Sequence, residues 1–236
     1  MPSTQSISYT NRLLAALPGE DLERVMADCE PVELVFTQVL SNPGDAIDYV
    51  YFPTDSVISL VMPVDGDSGL EVGLIGYEGM LGIPLMLGVD VAPFHALVQV
   101  AGPALRMATP AFLRELKASP ALHQRLKRYL YVSMSLFAQT AACNRFHVVE
   151  KRLACLLLMT RDRAHSEGFH ITHELMAKML GVRRVGVTKA AGALQKKGLI
   201  SYVRGKVLIH DLAGLEAASC DCYRADKDRY ERILAC

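Results

Sequence analysis

The sequence contains no long hydrophobic run. No segment approaches the roughly 18 uncharged apolar residues that a membrane-spanning helix needs. The N-terminal residues MPSTQSISYTNR also lack the basic and then apolar pattern of a signal peptide. We therefore expect a cytosolic protein with no membrane partner. Of its 236 residues, 51% are hydrophobic, which is enough for two domains that each bury a core.

The sequence also lacks the paired cysteine spacing of a zinc finger or a zinc ribbon. Its cysteines are Cys29, Cys143, Cys155, Cys220, Cys222 and Cys236. Cys220 and Cys222 form the only close pair, which is too close in sequence for an easy disulfide, and a reducing compartment keeps thiols free. We expect small buried or incidental residues, no metal site and no cofactor. A metal or redox site at Cys220 and Cys222 is the less favoured alternative.

Residue constellations of enzymes are missing as well. The sequence shows no nucleophile paired with a base, no metal-binding triad and no phosphate-cradling loop. We therefore predict that the protein is not an enzyme and has no catalytic residues. A function in binding is the expectation that remains.

The net charge of zero conceals a strong asymmetry along the chain. Residues 1–118 carry 5 basic and 15 acidic side chains, a net charge of −10. Residues 151–210 carry 12 basic and 3 acidic side chains, a net charge of +9. This polarity is typical of a polyanion-binding module beside a domain that avoids polyanions. A solvated basic surface is the alternative, so the motif within the basic segment must decide.

The chain is predicted to have three parts. After a short helical lead-in come the apolar runs VELVF, QVL, YVYF, VISLVM, LEVGLI and ALVQV, which are separated by turn signals such as DGDSG at 65–69. Regularly spaced strands and turns predict an antiparallel β-roll or barrel. We place the roll at 1–118, a long helix at 119–145, and a mainly helical domain with a C-terminal tail at 146–236.

The long helix is predicted from the absence of glycine and proline between Pro120 and about Arg145. Seven of its residues recur at alternating spacings of four and three, namely Leu122, Leu126, Tyr129, Ser133, Leu136, Thr140 and Cys143. A seam with this spacing is typical of a helix that pairs with another helix. We therefore predict a dimerisation helix in a homodimer. The alternative is a core helix that packs within one subunit.

A helix-turn-helix is predicted between Thr172 and Gly198. Thr172 is a suitable N-cap for a first helix that stops at Gly181. The second helix covers 183–197, and its inward face consists of Val187, Ala190, Ala191 and Leu194. Its opposite face is basic, as a helix in the major groove of double-stranded DNA requires.

A hairpin wing is predicted after the second helix, with apolar runs at 199–203 and 207–209 around the turn at 204–206. The residues predicted to read DNA bases are Arg183, Arg184, Val185, Thr188 and Lys189. Those predicted to contact DNA phosphate are Thr172, His173, Lys196, Arg204 and Lys206. The alternative, a small helical bundle with a solvated basic face, explains neither the wing nor the charge asymmetry.

The order of β-roll, long helix and winged helix-turn-helix resembles the Crp/Fnr superfamily, most closely in the stretches EKRLACLLLMTRDR and GVRRVGVTKAAGALQKKGLI. The resemblance implies an α+β fold whose N-terminal roll is like a cyclic-nucleotide-binding domain. It also implies a homodimeric transcription regulator that binds a palindromic promoter site and contacts RNA polymerase. By position, Arg184, Val185 and Lys189 fall where family members place base-reading side chains.

The resemblance is weakest at the ligand pocket. Where cyclic-AMP-binding members carry a Gly-Glu pair and later an Arg-Ser pair, this sequence has Gly79-Met80 and Phe94-His95. A phosphate without a cation is poorly held in an apolar pocket, so we expect no control by cyclic AMP. The candidate pocket residues are Tyr77, Glu78, Met80, Phe94, His95 and Phe137. The pocket either binds an apolar, non-phosphorylated effector or is packed shut.

A second function class is a sensor module for a cyclic nucleotide or another small ligand that acts through protein partners. The altered pocket disfavours this class, and so does a chain that carries its own output domain. The sequence does not identify the effector, the target genes or the direction of regulation.

Overall fold

A computed structural model describes residues 11–64 and 69–234 of the chain. The turn predicted at 65–69, apart from Gly69, and Cys236 therefore lie outside the described residues. No helix in the described part has the length and hydropathy of a membrane-spanning segment. The predicted helical lead-in is present as α1 (Arg12–Ala15) and α2 (Gly19–Ala27).

The N-terminal domain is an antiparallel β-roll, as predicted. Its strands are β1 (Glu30–Leu34), β2 (Val39–Ser41), β3 (Tyr49–Pro53), β4 (Val57–Pro63), β5 (Gly69–Ile75), β6 (His95–Val100) and β7 (Gly102–Ala108). They form two sheets with the orders β1-β7-β3 and β2-β6-β4-β5. A 3₁₀ helix, Ile83–Leu87, follows β5. Strand β7 was not among the predicted runs because Gly102 and Pro103 interrupt its apolar pattern.

Side chains from both sheets share one apolar core. Its buried members are Leu34, Ile58, Leu60, Ile75, Ala96, Val98 and Ala104. Strand β4 supplies Ile58 and Leu60 from a stretch of four consecutive buried residues, so side chains on both of its faces are covered.

Two helices follow the last strand of the roll. Helix α3 (Thr109–Ala118) has a proline in its first turn, where the missing N–H costs nothing. Helix α4 (Pro120–Phe146) contains 27 residues and is therefore about 40 Å long. The Ser119 hydroxyl caps α4 by accepting a hydrogen bond from the Leu122 N–H at 3.0 Å.

From 147 to 234, the described C-terminal residues form five helices and three strands in the order helix, strand, two helices, two strands, two helices. They are α5 (Val149–Ala164), β8 (Gly168–His170), α6 (His173–Leu180), α7 (Arg184–Lys196), β9 (Ile200–Val203), β10 (Lys206–Ile209), α8 (Leu212–Ala218) and α9 (Cys222–Leu234). Helices α6 and α7 match the predicted helix-turn-helix. Strands β8, β10 and β9 form one sheet in that order, which adds β8 to the predicted hairpin.

The packing of α4 corrects the predicted dimer seam. Leu122, Leu126 and Leu136 are at most 5% exposed and belong to the chain's own core, together with Tyr230 and Leu234 of α9. The other predicted seam residues line cavities within the chain or are buried in it, namely Tyr129, Ser133, Thr140 and Cys143. Periodicity reveals that a helix has an apolar face, but it does not say which chain covers that face.

Polar contacts join the roll to the C-terminal part. Glu78 accepts a hydrogen bond from Arg163 at 2.6 Å, and both side chains are nearly inaccessible. The Gln99 side-chain amide donates to the hydroxyl of Thr160 at 2.9 Å, and this pair is also buried. A buried ion pair is stable only if its two side chains are held in a well-defined geometry. These contacts therefore fix the position of α5 against the roll.

Candidate functional site

The turn of the helix-turn-helix depends on one glycine. Thr172 caps α6 as predicted, since its hydroxyl accepts from the Leu175 N–H at 3.1 Å. Helix α6 ends at Gly181, whose φ of +59° lies in the left-handed region. An added Cβ there would approach the Leu70 side chain to 2.8 Å. Both the backbone angle and the contact with β5 therefore favour glycine.

Helix α7 has one buried face and one exposed face, as predicted. Val187 and Leu194 are fully buried, and Ala190 and Ala191 are at most 6% exposed. Burying one Val or Leu side chain contributes about 1.5–3 kcal/mol, which anchors α7 to its domain. The predicted base-reading residues are all exposed, or nearly so, namely Arg183, Arg184, Val185, Thr188 and Lys189.

The wing is a tight hairpin between β9 and β10. Arg204 and Gly205 occupy its two-residue turn with φ of +49° and +83°, the positive values that a type I′ turn requires. An added Cβ on Gly205 would come within 2.6 Å of the His170 ring, so the third strand also selects glycine here. Arg204 and Lys206 are exposed, as a phosphate contact needs.

Exposed basic residues dominate this surface. Residues 183–210 contain seven Lys and Arg and no Asp or Glu. Lys196 is exposed, whereas Lys197 forms an ion pair with Glu150 of α5 at 2.6 Å. The exposed face of α7 and the wing therefore form one cationic surface, which we call the basic face. Its residues are Arg183, Arg184, Lys189, Lys196, Arg204 and Lys206.

His173 does not fit its predicted role in phosphate binding. Its ring stacks on the Tyr202 ring with centroids 4.1 Å apart. Its Nδ1 is 3.1 Å from the Thr188 hydroxyl, and its Nε2 is buried. Burial and then the Arg184 guanidinium lower the pKa of His173, so the ring is neutral at pH 7. The side chain therefore joins α6 to α7 and the wing, a role that its sequence position did not reveal.

A cavity lies between the roll and α4, so the predicted pocket is not packed shut. Its volume is about 290 Å³, and Met80, Phe94 and Phe137 line it as predicted. The Phe94 and Phe137 rings meet edge to face at 5.5 Å between centroids. Among the described residues that line this cavity, Asp48 is the only charged one.

Three predicted pocket residues lie elsewhere. Tyr77 and Glu78 line a separate cleft beside α5, where Glu78 pairs with Arg163. His95 is at the start of β6, with its Nδ1 3.0 Å from the side-chain oxygen of Asn42. The prediction placed residues that are adjacent in sequence in one pocket, but successive side chains of an extended chain point to opposite sides.

Comparison with known proteins identifies the C-terminal part. Residues 151–218 match the family described as the Crp-like helix-turn-helix domain. The global nitrogen regulator of Nostoc sp. is 24% identical over 179 residues, which cover 71% of this chain and 79% of that protein. The C-terminal part of this chain is therefore a Crp-like helix-turn-helix domain.

Several solved structures share the fold of this chain. The regulator CLP of Xanthomonas campestris is 16% identical, with a TM-score of 0.65 and coverage of 82% of this chain and 99% of that chain. FixK2 from Bradyrhizobium japonicum is 10% identical, with a TM-score of 0.68 and coverage of 81% and 98%. A Crp/Fnr-family regulator from Eubacterium rectale is 16% identical, with a TM-score of 0.64 and coverage of 87% and 96%. The Crp/Fnr fold therefore extends over most of the chain, and α6 and α7 are its helix-turn-helix for DNA binding.

Proposed function

We propose that this Crp/Fnr-type regulator is a homodimer that binds an inverted-repeat promoter site through α7 without control by cyclic AMP. The basic face carries this proposal. Its Arg and Lys side chains are exposed, and the sequence from 183 to 210 contains no Asp or Glu that could neutralise them. Such a surface is suited to binding the phosphates on both sides of a major groove. The regulator is expected to act in the cytosol, together with RNA polymerase.

The division of labour on the basic face follows from position. Arg184 is in the first turn of α7, where a recognition helix approaches base edges, and its planar guanidinium can donate two hydrogen bonds to guanine. Val185 is 58% exposed and can contact a thymine methyl group. Arg204 and Lys206 on the wing, and Lys196 at the end of α7, are suited to phosphate. Thr172 is expected to do no more than cap α6.

A second exposed stripe on α4 supports the homodimer. Lys127, Tyr131, Met134, Ala138 and Ala141 are exposed and recur at spacings of four and three. Tyr131 is 57% exposed and Met134 is 62% exposed, although both are large apolar side chains. Burying such a stripe against a second copy is the geometry of a two-stranded coiled coil. This stripe replaces the predicted seam as the dimer contact.

The cavity supports independence from cyclic AMP. No Arg, Lys or His is among the described residues that line it, and the phosphate of a cyclic nucleotide needs a cation or several N–H donors in an apolar site. An effector suited to this cavity is small, largely apolar and uncharged. The relative CLP is a regulator that responds to c-di-GMP, but the cavity of this chain does not favour a ligand with two phosphates.

A gel-shift and footprinting experiment tests the proposed function. The full chain is incubated with DNA from upstream of its own gene at low salt, and protection of an inverted repeat is expected. Arg184→Ala with Lys189→Ala should abolish the shift. Arg224→Ala with Lys227→Ala removes the same charge from exposed positions of α9 and should leave it intact. Absence of any specific complex at low salt would contradict the proposal and favour a sensor acting through protein partners.

A further inference from the structure

Four side chains with metal-binding atoms meet where α4 ends and α9 begins. Cys143 and His147 come from the end of α4, and Cys220 and Cys222 come from the junction of α8 and α9. Their ligand atoms all lie within 4.8 Å of one another. The two halves are widely separated along the chain, since Cys143 and Cys220 are 77 residues apart. Folding therefore creates a cluster that the linear spacing concealed.

Two distances within this cluster are close to those of a tetrahedral metal site. Zinc bonds of about 2.3 Å to sulfur and about 2.05 Å to nitrogen put two sulfurs about 3.8 Å apart and a sulfur and a nitrogen about 3.6 Å apart. The Cys143 and Cys220 sulfurs are 3.6 Å apart, and the Cys222 sulfur is 3.5 Å from His147 Nδ1. A disulfide needs about 2.05 Å between its sulfurs, so the observed spacing fits shared coordination better than a bond.

The surroundings of the cluster also suit a metal. Cys220 and Cys222 are each 4% exposed, and buried thiolates need a compensating positive charge. The Gln139 amide donates to the Cys222 sulfur at 3.2 Å, as an outer-shell group does in a metal site.

The residual charge of such a site has a partner. Three thiolates and one Zn²⁺ carry a net charge of −1. Arg152 is 7% exposed and lines the same small cavity, of about 70 Å³, as Cys143 and Cys222. Its guanidinium also donates to the backbone oxygen of Leu180, the last residue of α6. Arg152 therefore connects the cluster to the helix-turn-helix.

We propose that Cys143, His147, Cys220 and Cys222 form a structural Cys₃His zinc site. The site fastens the C-terminal tail to the end of α4, next to the connection between α4 and the DNA-binding domain. Four protein ligands and no open position are typical of structural zinc, and thiolate ligands favour zinc over magnesium or calcium. The inference does not depend on the proposed function, because metal content can be measured without DNA.

Metal analysis of the purified full chain is the first test. Protein prepared without chelator under reducing conditions should contain one zinc per chain by mass spectrometry of the elements. Exchange of zinc for Co²⁺ should give the visible absorption bands of tetrahedral cobalt with sulfur ligands. Addition of Zn²⁺ to the metal-free chain should raise its midpoint of thermal unfolding, because a ligand that binds only the folded state stabilises it.

Matched variants assign the ligands. Cys220→Ser with Cys222→Ser should lose the bound zinc, while Cys29→Ser, remote from the cluster, and Cys155→Ala, beside it, should retain one zinc per chain. His147→Ala should weaken zinc binding by at least about tenfold and shift the cobalt bands. The variants are expected to fold, because α9 is also held by the hydrogen bond from Tyr223 to Asp162 at 2.7 Å and by buried Tyr230.

Two results would overturn the proposal. The first is a wild-type chain that binds neither Zn²⁺ nor Co²⁺ under reducing conditions and instead forms a Cys143–Cys220 disulfide on oxidation. The second is zinc content in the Cys220 and Cys222 double variant equal to that of the wild type.

Discussion

Arg184 and Lys206 belong to the same basic face but present their charges differently. Arg184 is exposed in the first turn of α7, the end of this helix that we propose approaches the bases. Lys206 is on a wing strand beside the turn and carries a point charge on a flexible stem. One residue is therefore suited to reading sequence, and the other to binding any DNA.

Substitution should separate these two roles. Arg184→Ala should cost about 1–3 kcal/mol per half-site and relax discrimination at one base pair. Lys206→Ala should weaken all sequences alike and lower the salt dependence by about one counterion, because a phosphate contact releases ions without reading bases. Selection from random DNA and titrations at several salt concentrations measure both effects. An Arg184→Ala motif identical to the wild type, with an altered Lys206→Ala motif, would show that α7 is misassigned.

The buried ion pair between Glu78 and Arg163 contributes to the stability of the fold. Their side chains are 6% and 7% exposed, and they join the roll to α5. Removing one charge leaves the other buried without compensation, so Glu78→Gln should destabilise the fold by about 3 kcal/mol. The midpoint of urea unfolding measures this loss. Glu30→Gln is the control, because Glu30 is 54% exposed in its pair with Arg106 and should cost less than about 1 kcal/mol.

Among the helices and strands, those whose ends are marked by residues close together in the sequence were predicted best. Helices α6 and α7 were predicted to within two residues, since the capping hydroxyl of Thr172 and the glycines at 181 and 198 mark their ends locally. Strand β8 was missed because three residues, Gly168–His170, carry too little periodicity to be recognised without β10 beside them.

The two apolar stripes of α4 show what the local sequence pattern does not predict. Both stripes of this helix have the spacing of a seam, but the chain's own α9 and roll cover one of them. Only tertiary packing decides which stripe is left exposed. The Cys₃His cluster was concealed for the same reason, since its halves meet only when α9 returns to α4.

The cavity between the roll and α4 is also a product of packed elements, and it leads to a prediction about ligands. Calorimetric titration with cyclic AMP or cyclic GMP should show no binding tighter than about 1 mM, or roughly −4 kcal/mol. The reason is the lack of a cation among the described lining residues. Micromolar affinity for either nucleotide would mean that the phosphate binds outside this cavity or that a partner supplies the cation.

At the scale of the whole molecule, the charge asymmetry along the chain becomes a separation between an acidic domain and a basic surface. The acidic roll, with a net charge of −10 over residues 1–118, stands beside a basic face that lies within a segment of +9. In the proposed complex, DNA is attracted to the basic face and repelled by the acidic roll, which would orient the protein on the duplex. A two-fold dimer would place two basic faces about one helical turn apart, roughly 34 Å, and so favour an inverted repeat.

The exposed stripe of α4 makes this assembly testable. Tyr131→Asp with Met134→Asp places two charges in the proposed seam, where a second copy would bury them at high cost. The double variant should sediment as a folded monomer at micromolar concentration and bind inverted repeats no better than single half-sites. Charges at Leu126 and Leu136 would not test assembly, because both residues are in the core of one chain.

Val35→Asp with Val89→Asp is the matched control for that experiment. These side chains are 62% and 48% exposed and do not belong to the exposed stripe of α4, so the variant should remain dimeric and keep its preference for the inverted repeat. Circular dichroism verifies that both double variants retain the helical content of the wild type. A wild-type chain that sediments as a monomer at micromolar concentration, or a Tyr131 and Met134 double variant that remains dimeric, would rule out pairing through this stripe.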